Sequence, residues 1–392
     1  MTASSSAFLG YPRADGGVGV RNHVLVVPTV ICAAVVADRI AASIAPVGAS
    51  LPHLAGCGQL GPDLDLTHET LAAYCRHPNV GAVLVVALGC EQVVAQQLAE
   101  SARRAGKPSA IVAIQSEGGT LRATTRGIEI ARQMAEALSR VDRAWCRTSS
   151  LILSVKCGGS DYTSGLASNP VVGRVADALV DMGGAVVLGE IAEIMGAEHL
   201  LADRAASREA ATRLLRIVNR VEAEAIALGL DIRGTQPSPG NMRGGLTTIE
   251  EKSLGATHKA GERTRLQDVV PYAAPITSKG LTVMDTPGLD VESVTGMVGG
   301  GAQICLFTTG LGTPTGNPIA PVVKITGNAR TAQSMADNID VDVSGVMSET
   351  ESLDAAADRL FTELLAVCSG RPTAAERLGH REFAIHRRNP TI

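Results

Sequence analysis

In the first third of the chain, the spacing of apolar positions alternates between that of a buried strand and that of a helix. Short runs of consecutive apolar residues, such as VLVV from Val24, are typical of buried strands, and each is followed by a stretch with helical spacing. The predicted elements are strand 24–27, helix 31–43, strand 49–53, helix 62–74, strand 82–87, helix 91–105, strand 110–114 and helix 121–138. This alternation predicts a Rossmann-like parallel sheet covered by helices on both faces. Right-handed crossovers then bring every strand-to-helix turn to one edge of the sheet, where ligands bind.

A polar stretch at residues 139–150, SRVDRAWCRTSS, interrupts this alternation. We place a domain boundary there, which gives a Rossmann-like domain at residues 1–145 and a second α/β domain at residues 146–392. In the second domain the pattern predicts strands 151–155, 185–188, 281–284, 304–307 and 322–325, helices 169–181, 198–228 and 353–367, and a long loop 231–245. A further helix begins at Thr248, because Glu251 lies three residues on, as in a capping box. The predicted fold class is α/β, with two domains that each have a mostly parallel sheet covered by helices.

The composition narrows the class of protein. Aromatic residues make up only 2% of the 392 residues, so the core must consist of Val, Ile, Leu and Ala, and aromatic platforms for stacking bases are lacking. The formal net charge of −4 gives no basic field for nucleic acid or an acidic membrane surface. The apolar runs are shorter than the roughly 18–20 residues of a membrane span, and the N-terminus does not resemble a signal peptide. We therefore expect a cytoplasmic protein with neither nucleic acid nor membrane as partner.

Three of the eight cysteines lie beside glycine at predicted strand ends: Cys57, Cys90 and Cys157. In a reducing compartment the alternatives are a buried thiol, a catalytic thiolate and a metal ligand. A single cysteine is most simply a small buried hydrophobe, but three at strand-end turns favour a shared site. No CxxC pair suggests a zinc ribbon, whereas three thiolates with one open position suit an iron–sulfur cluster or a ferrous ion. The other five cysteines are interpreted as core or incidental positions.

Polar residues beside these turns are candidates for acid–base chemistry. The candidates are His53, Glu91, Lys156 and Asp161, each within four residues of one of the three cysteines. A lysine at a desolvated turn can act as a base, although strand-end, helix-start and surface positions are ordinary alternatives for all four. Glu190 and Glu193 follow strand 185–188 and suit a cation or a solvated helix start equally well, and Asp285 ends another strand.

Glycine-rich turns are candidates for binding an anionic substrate. The Gly/Thr-rich loop 308–318 predicts a cradle of backbone N–H groups, and the glycines after Cys157 allow a ligand to approach the backbone closely. The candidate substrate-binding residues are Thr309, Gly310, Thr313, Gly158, Gly159 and Ser160. No nucleotide-binding loop, GxSxG elbow or HExxH motif is present.

Several motifs, in order along the chain, resemble one enzyme family. They include GYPRADGGVGVRN, GCGQLGPDLD, HPNVGAVLVVALGCE, KCGGSD, PSPGNMRGGLTTIEEKSLG, MDTPG and FTTGLGTPTGNP. From about Gly10 to about Phe383, the sequence resembles the large catalytic region of the altronate/galactarate dehydratase family. The (R)-sulfolactate sulfo-lyase large subunit is a relative with the same architecture that eliminates sulfite instead of water.

The resemblance implies an iron- or manganese-dependent hydro-lyase that converts a sugar acid or related hydroxy acid into a 2-keto-3-deoxy acid. Chelation of the substrate by the metal would stabilise the intermediate that forms when the α-proton is removed. We expect the three strand-end cysteines to hold iron, as a ferrous ion or an iron–sulfur cluster. Lys156 or His53 is then the expected base, with Asp161 and Glu91 in support.

Two features of the sequence bear on the expected partner subunit and on the expected substrate. Full-length dehydratases of this family begin with a small SAF-type domain, whereas this sequence begins at the large region, so a separate small subunit is expected. Cys57 and Cys90 are kept as in sugar-acid members, but the segments NIDVDVSG and LGHREF resemble the sulfo-lyase. We favour a hydroxy-acid dehydratase. The alternatives are a sulfo-lyase large subunit and a non-catalytic sugar-acid-binding paralogue, and a homo-oligomer is compatible with each.

Overall fold

The computed structural model describes residues 7–392, which form three sheets with helices on their faces. The strands are β1 (Ala7–Pro12), β2 (Val18–Gly19), β3 (His23–Pro28), β4 (Gly48–Ser50), β5 (Val80–Ala87), β6 (Ser109–Ala113), β7 (Ala144–Arg147), β8 (Ile152–Cys157), β9 (Ala185–Leu188), β10 (Leu266–Val270), β11 (Gly280–Met284), β12 (Ile304–Thr308), β13 (Val322–Thr326) and β14 (Val341–Asp342). The helices are α1 (Ala34–Ala42), α2 (Gly61–Arg76), α3 (Ala95–Arg104), α4 (Thr120–Ser139), α5 (Asn169–Asp181), α6 (Ile191–Ile194), α7 (Glu198–Asp203), α8 (Arg208–Ala227), α9 (Ile232–Thr235), α10 (Pro239–Arg243), α11 (Ile249–Thr257), α12 (Asp290–Gly299), α13 (Ala329–Ser334), α14 (Leu353–Cys368) and α15 (Ala374–Leu378). Among the described residues, no helix is long and apolar enough to cross a membrane.

The smaller parallel sheet has the strand order β4-β3-β5-β6. Side chains on successive residues of β3 and β5 point to opposite faces, so each strand contributes to two apolar clusters. Helices α1 and α4 cover one face, and α2 and α3 cover the other. The sheet therefore has the helix-covered parallel architecture that the alternating sequence pattern predicts.

The larger sheet has seven parallel strands in the order β10-β11-β9-β8-β12-β13-β14. One face packs against α5, α8 and α14. The opposite face shares an apolar cluster with the smaller sheet, in which Phe307 and Met297 join Leu25 and Leu71. Helices α2 and α12 pack against each other in this shared cluster, where the Tyr74 hydroxyl donates to the carbonyl of Thr295.

A three-stranded antiparallel sheet, in the order β2-β1-β7, is a feature that the sequence pattern did not predict. Strand β7 lies within the polar stretch that we interpreted as a linker, and it pairs with β1 from Ala7 to Gly10. Its residues are mostly exposed, which removes the apolar signal of a strand. The predicted domain boundary after residue 145 falls within β7 and stays a prediction.

Two further predictions about the second domain require correction. The predicted helix 198–228 is two helices, because the chain between α7 and α8 pairs with β10: the amide of Ala206 donates to Leu266 O at 2.8 Å. Ser207 then caps α8 by accepting a hydrogen bond from the Ala210 amide. The predicted loop 231–245 contains the short helices α9 and α10.

The C-terminal segment, residues 380–392, packs across helices α2 and α12, which lie between the two parallel sheets. The side chain of Phe383 is buried against Tyr74, with ring centroids 4.9 Å apart. The carboxylate of Asp63, in the first turn of α2, accepts hydrogen bonds from the amides of Arg388 and Asn389 at 3.1 and 2.8 Å. The amide of Ile392 donates to Gly58 O, so the segment is attached to the loop that carries Cys57.

Candidate active site

A cleft of about 310 Å³ opens at the carboxyl ends of the central strands of the larger sheet. Residues that follow β8, β9, β11 and β12 line it, and these four strands are neighbours in the order β11-β9-β8-β12. Residues of α10 and α11 form a further wall. The lining residues are Cys157, Gly158, Gly159, Ser160, Glu190, Ala192, Glu193, Gln236, Ser238, Gly240, Asn241, Lys252, Gly288, Asp290 and Leu311. This edge is where parallel α/β sheets bind their ligands.

Lys156 lies fully buried beneath the cleft and holds two carboxylates. Its ammonium group forms ion pairs with Glu190 and with Asp290, the latter at 2.7 Å, and donates to the carbonyl of Cys157 at 2.6 Å. Burial acts to lower the pKa of Lys156, but the negative charges of Glu190 and Asp290 outweigh it and raise that pKa well above its usual value. Lys156 is therefore a cation, and a neutral lysine base is disfavoured in this arrangement.

A second buried lysine, Lys259, holds Cys157 and Glu193 beside the first cluster. Its Nζ lies 3.0 Å from Cys157 Sγ and 3.0 Å from Glu193 Oε1, while the Cys157 thiol donates to Glu193 Oε2 at 3.0 Å. Burial and the Glu193 charge raise the pKa of Cys157 to about 11, so this residue is a thiol. Burial acts to raise the pKa of Glu193, but Lys259 and Lys156 hold it below its usual value. Glu193 is therefore ionised.

Glu190 is set in an unusual backbone conformation between β9 and α6. Its φ of 61° and ψ of 81° place a non-glycine residue in the left-handed region, and its amide donates to Thr286 Oγ1 at 2.5 Å. Strain of this kind is common at functional sites. Burial raises the pKa of Glu190 to about 7, although Lys156 acts to lower it. Oε2 bonds to Lys156, whereas Oε1 has no hydrogen bond from any described residue.

The turn after β8 lines the cleft and contains backbone N–H groups without an acceptor among the described residues. Gly159 has a φ of +59°, and no described residue accepts a hydrogen bond from the amide of Gly159 or Ser160. A Cβ atom at Gly158 would collide with the Asp290 carboxylate, so glycine is required there. The predicted substrate-binding turn of Gly158, Gly159 and Ser160 thus lines the cleft.

Asp161, which follows this turn, stabilises the local backbone. Its Oδ1 accepts from the hydroxyl of Thr163 at 2.6 Å and the amide of Ser164 at 3.1 Å, and its Oδ2 accepts from Asn328 at 2.8 Å. Asp161 is buried and is not among the described residues that line the cleft. Its contacts are those of a structural carboxylate.

The Gly/Thr-rich loop after β12 uses its amides within the protein. The amides of Gly310 and Leu311 donate to Gly159 O, and the amide of Gly312 donates to Thr309 Oγ1. Thr309 is fully buried, and the Thr313 hydroxyl is hydrogen-bonded to that of Thr315 at 3.0 Å. Of this loop, the described cleft lining includes Leu311 but not the three residues of the predicted cradle.

His53 and Glu91 belong to the edge of the smaller sheet. His53 Nε2 lies 2.7 Å from Pro28 O, and burial lowers the pKa of this histidine. Glu91 accepts from Thr29 Oγ1 at 2.5 Å and from the amide of Gly89 at 2.6 Å. Burial acts to raise its pKa, but these hydrogen bonds hold it below its usual value. Neither residue is among the described residues that line the cleft at Cys157.

The structure groups the cysteines differently from our prediction. Cys157 is buried in the larger sheet, whereas Cys32, Cys57 and Cys90 are exposed on loops after β3, β4 and β5. These loops touch, since the amide of Gln92 donates to Gly56 O and that of Ile31 to Ala55 O. We call Cys32, Cys57 and Cys90 the edge thiols. Within residues 7–392, no three Cys, His, Asp or Glu side chains are placed to hold a metal ion. The structure therefore does not bring Cys57, Cys90 and Cys157 together, because Cys157 ends a strand of the larger sheet and the other two follow strands of the smaller sheet. The iron site itself stays a prediction.

Sequence reasoning missed three charged residues of the site: Lys252, Lys259 and Asp290. Lys252 and Lys259 lie seven residues apart, about two helical turns, on α11 and the turn that follows it. That spacing was the sequence signal that could have placed both lysines on one face of a helix. Asp290 begins α12, a helix that the sequence pattern did not predict.

Family comparisons cover almost the whole chain. Residues 10–139 match the model "D-galactarate dehydratase/Altronate hydrolase, second domain", and residues 148–391 match "D-galactarate/Altronate dehydratase, C-terminal". The chain belongs to this family, which confirms the resemblance found in its motifs.

Named relatives within the family differ in what they eliminate. The chain is 40% identical to the (2R)-sulfolactate sulfo-lyase subunit beta of Chromohalobacter salexigens, over 99% of each chain. It is 35% identical to the altronate dehydratase of Bacillus subtilis, over 98% of this chain and 78% of the relative. The galactarate dehydratase (L-threo-forming) of Escherichia coli is 32% identical, over 96% of this chain and 76% of the relative. These relatives support a lyase-type function.

Proposed function

We propose that this protein is the large subunit of a lyase that removes the α-proton of a small hydroxy acid and expels the β-substituent. In the form we favour, the substrate is a sugar acid of the altronate or galactarate type and the leaving group is hydroxide. The product is an enol that tautomerises to a 2-keto-3-deoxy acid. The observation that carries the proposal is Glu190, which lines the cleft, has no hydrogen bond from a described residue at Oε1, and has a pKa that burial raises to about 7.

In the proposed step, Glu190 Oε1 takes the proton from the carbon next to the substrate carboxylate. The electron pair of the broken C–H bond forms the carbon–carbon double bond as the β-hydroxyl leaves with its own electron pair. The proton then held on Glu190 is available to the departing hydroxide, which leaves as water. Lys156 positions Glu190 and Asp290 through its ion pairs.

The substrate carboxylate gains negative charge during this step and needs hydrogen-bond donors. Gly159 and Ser160 line the cleft, and no described residue accepts a hydrogen bond from their amides. Donors that are already oriented stabilise developing charge without reorganisation. We assign them to the carboxylate, in place of the cradle predicted in the loop after β12.

Elimination of sulfite from a sulfonated hydroxy acid is the second candidate. It is favoured by the 40% identity to a sulfo-lyase subunit over 99% of both chains. The same proton abstraction applies, but the β-sulfonate leaves as sulfite with the electron pair of the carbon–sulfur bond. That relative is named as a subunit, so a separate small partner subunit is part of the proposal for either reaction.

The predicted iron or manganese is a separate proposal, and we assign it no step, because the described residues do not form a three-ligand group. Anaerobic purification followed by metal analysis tests it. Stoichiometric iron or manganese would support the prediction, and an active metal-free enzyme would contradict it.

Turnover of altronate, galactarate and sulfolactate tests the function, with and without a small subunit. We expect release of a 2-keto acid from one of them, and sulfite release identifies the second candidate. Glu190→Gln should lower kcat by about 10²–10⁴-fold, whereas Glu250→Gln, the same change at an exposed residue of α11, should stay within about twofold of the wild type. Full activity of Glu190→Gln would refute the assignment of the base.

A further inference from the structure

The cleft that we assign to an acidic substrate is lined mainly by negative charge. Glu190, Glu193 and Asp290 line it, and Lys252 is the only cationic side chain among the described residues of the lining. An anion that enters this cleft must therefore be compensated by hydrogen-bond donors or by Lys252. A count of the available donors identifies where an anion can bind.

The two buried lysines have few donors to offer. An ammonium group has three N–H bonds, and Lys156 uses all three, on Glu190, Asp290 and the carbonyl of Cys157. Lys259 is fully buried beneath the cleft and contacts Cys157 and Glu193. A substrate could reach the Lys156 ammonium group only by breaking an ion pair in a buried environment, which is costly. Lys259 has no exposed surface and is not among the described residues that line the cleft.

Lys252 differs from Lys156 and Lys259 because it is less buried and has fewer hydrogen-bond and ion-pair partners. It is half-buried on α11, and its Nζ donates to one described acceptor, Gln236 Oε1 at 3.1 Å. Two N–H bonds remain for a ligand. The helix is fixed at its start by Thr248, whose hydroxyl accepts from the amide of Glu251, so the position of Lys252 along the wall is well determined.

The side-chain amide of Asn241, on the same wall, already has hydrogen-bond partners. Asn241 donates to Ser160 O at 2.8 Å and accepts from the amide and hydroxyl of Ser238. Among the described lining residues, the unused donors are therefore found around the turn after β8, and at the Lys252 ammonium group and the side-chain amide of Gln236 that is bonded to it. Of these donors only Lys252 carries a positive charge. A volume of about 310 Å³ is at the small end of ligand sites, so one small molecule can contact both the turn and Lys252.

We propose that Lys252 is a second anion-binding position, which selects small acids that carry two anionic groups. The reacting carboxylate binds the amides of Gly159 and Ser160, and a distal carboxylate or sulfonate binds Lys252. This inference rests on the proposed function. It adds that a dianion is preferred over a monocarboxylate of similar size.

Binding of unreactive acids tests the inference without any turnover. Calorimetry with malonate and sulfoacetate as dianions, and acetate as a monoanion, compares the wild type with Lys252→Met. The matched control is Lys279→Met, which removes an exposed lysine of the same chain. We expect Lys252→Met to weaken dianion binding by about tenfold or more, leaving acetate binding unchanged, and Lys279→Met to bind like the wild type. Malonate and sulfoacetate also distinguish a carboxylate from a sulfonate as the distal group.

Two results would overturn the inference: equal dianion affinity in the wild type and Lys252→Met, or no preference of the wild type for dianions over acetate. In turnover assays we expect Lys252→Met to raise KM about tenfold with kcat nearly unchanged, and Lys252→Arg to recover part of the loss. A failure of turnover with every hydroxy acid would refute the proposed function, whereas the binding comparison would still decide the role of Lys252.

Discussion

Replacement of Lys259 by methionine tests the buried charge arrangement beneath the cleft. Lys259 and Glu193 have side-chain exposures of 0% and 1%, and their charged atoms are 3.0 Å apart. Methionine is similar in length but carries no charge, so the variant leaves the Glu193 carboxylate buried with the Cys157 thiol and the more distant charge of Lys156. Removal of one partner of a buried ion pair costs about 3–5 kcal/mol, and we expect a loss of this size in the free energy of unfolding at pH 8.

The loss should depend on pH in a defined direction. In the wild type the pKa of Glu193 is below its usual value, so its ionised form adds stability above the pKa of the unfolded chain. That contribution disappears as the pH falls through the lowered pKa. In Lys259→Met, burial raises the pKa of Glu193, and the carboxyl is neutralised at mildly acidic pH. The difference between variant and wild type should therefore be smaller at pH 5 than at pH 8.

Urea denaturation at both pH values measures these differences, and a double-mutant cycle assigns them to the pair. Glu193→Gln alone should also destabilise the protein, because it leaves Lys259 buried with Cys157 alone. The double variant Lys259→Met/Glu193→Gln contains neither charge and should recover a large part of the loss. A loss below about 0.5 kcal/mol in Lys259→Met, or strictly additive effects in the double variant, would refute the reasoning.

Three further outcomes follow from the structure. A thiol reagent should modify the edge thiols of the native protein rapidly and the other five cysteines slowly, and mass spectrometry of labelled peptides measures this; fast labelling of Cys157 would contradict its burial. Asp63→Ala should weaken the attachment of the C-terminal segment by about 1–3 kcal/mol, so limited trypsin digestion after Arg388 should become about tenfold faster; unchanged cleavage would mean that Asp63 does not hold the segment. The rate of the proposed lyase reaction should rise with pH up to the Glu190 pKa of about 7 and level off above it; a rate that falls between pH 5 and pH 7 would argue against Glu190 as the base.

The sequence predicted the elements whose signal is local. Strand β5 and helices α5 and α14 were found nearly to the residue, because an uninterrupted apolar run or a complete helical face leaves few alternatives. Strands β1 and β7 were missed because they pair across a long stretch of chain, Ala7 with Arg147 and Gly10 with Ala144, and neither has a strong pattern of its own. The break between α7 and α8 depends on pairing with Leu266, which is likewise invisible locally.

The candidate site likewise combines features that a local sequence pattern reveals with features that depend on distant parts of the chain. The strand-end turn at Gly158 lines the cleft and Lys156 lies buried beneath it, while their role in catalysis or binding stays a prediction. The three cysteines, however, were grouped by a shared local motif, although strand order assigns them to two different sheets. Lys259 could not be found because its importance comes from burial against Glu193, and burial of a lysine has no sequence signal.

The attachment of the C-terminal segment has a consequence for sequence tolerance. At Arg388, Asn389 and Ile392 the segment donates to the rest of the molecule through main-chain amides, which every residue except proline possesses. The side chain of Asn389 adds its own hydrogen bond to Asp63, whereas the main-chain anchors at Arg388 and Ile392 place little demand on the identity of the side chains. A fluorophore or crosslinking residue introduced at one of these two positions would keep the anchor and report on movement between the segment and the loop that carries Cys57.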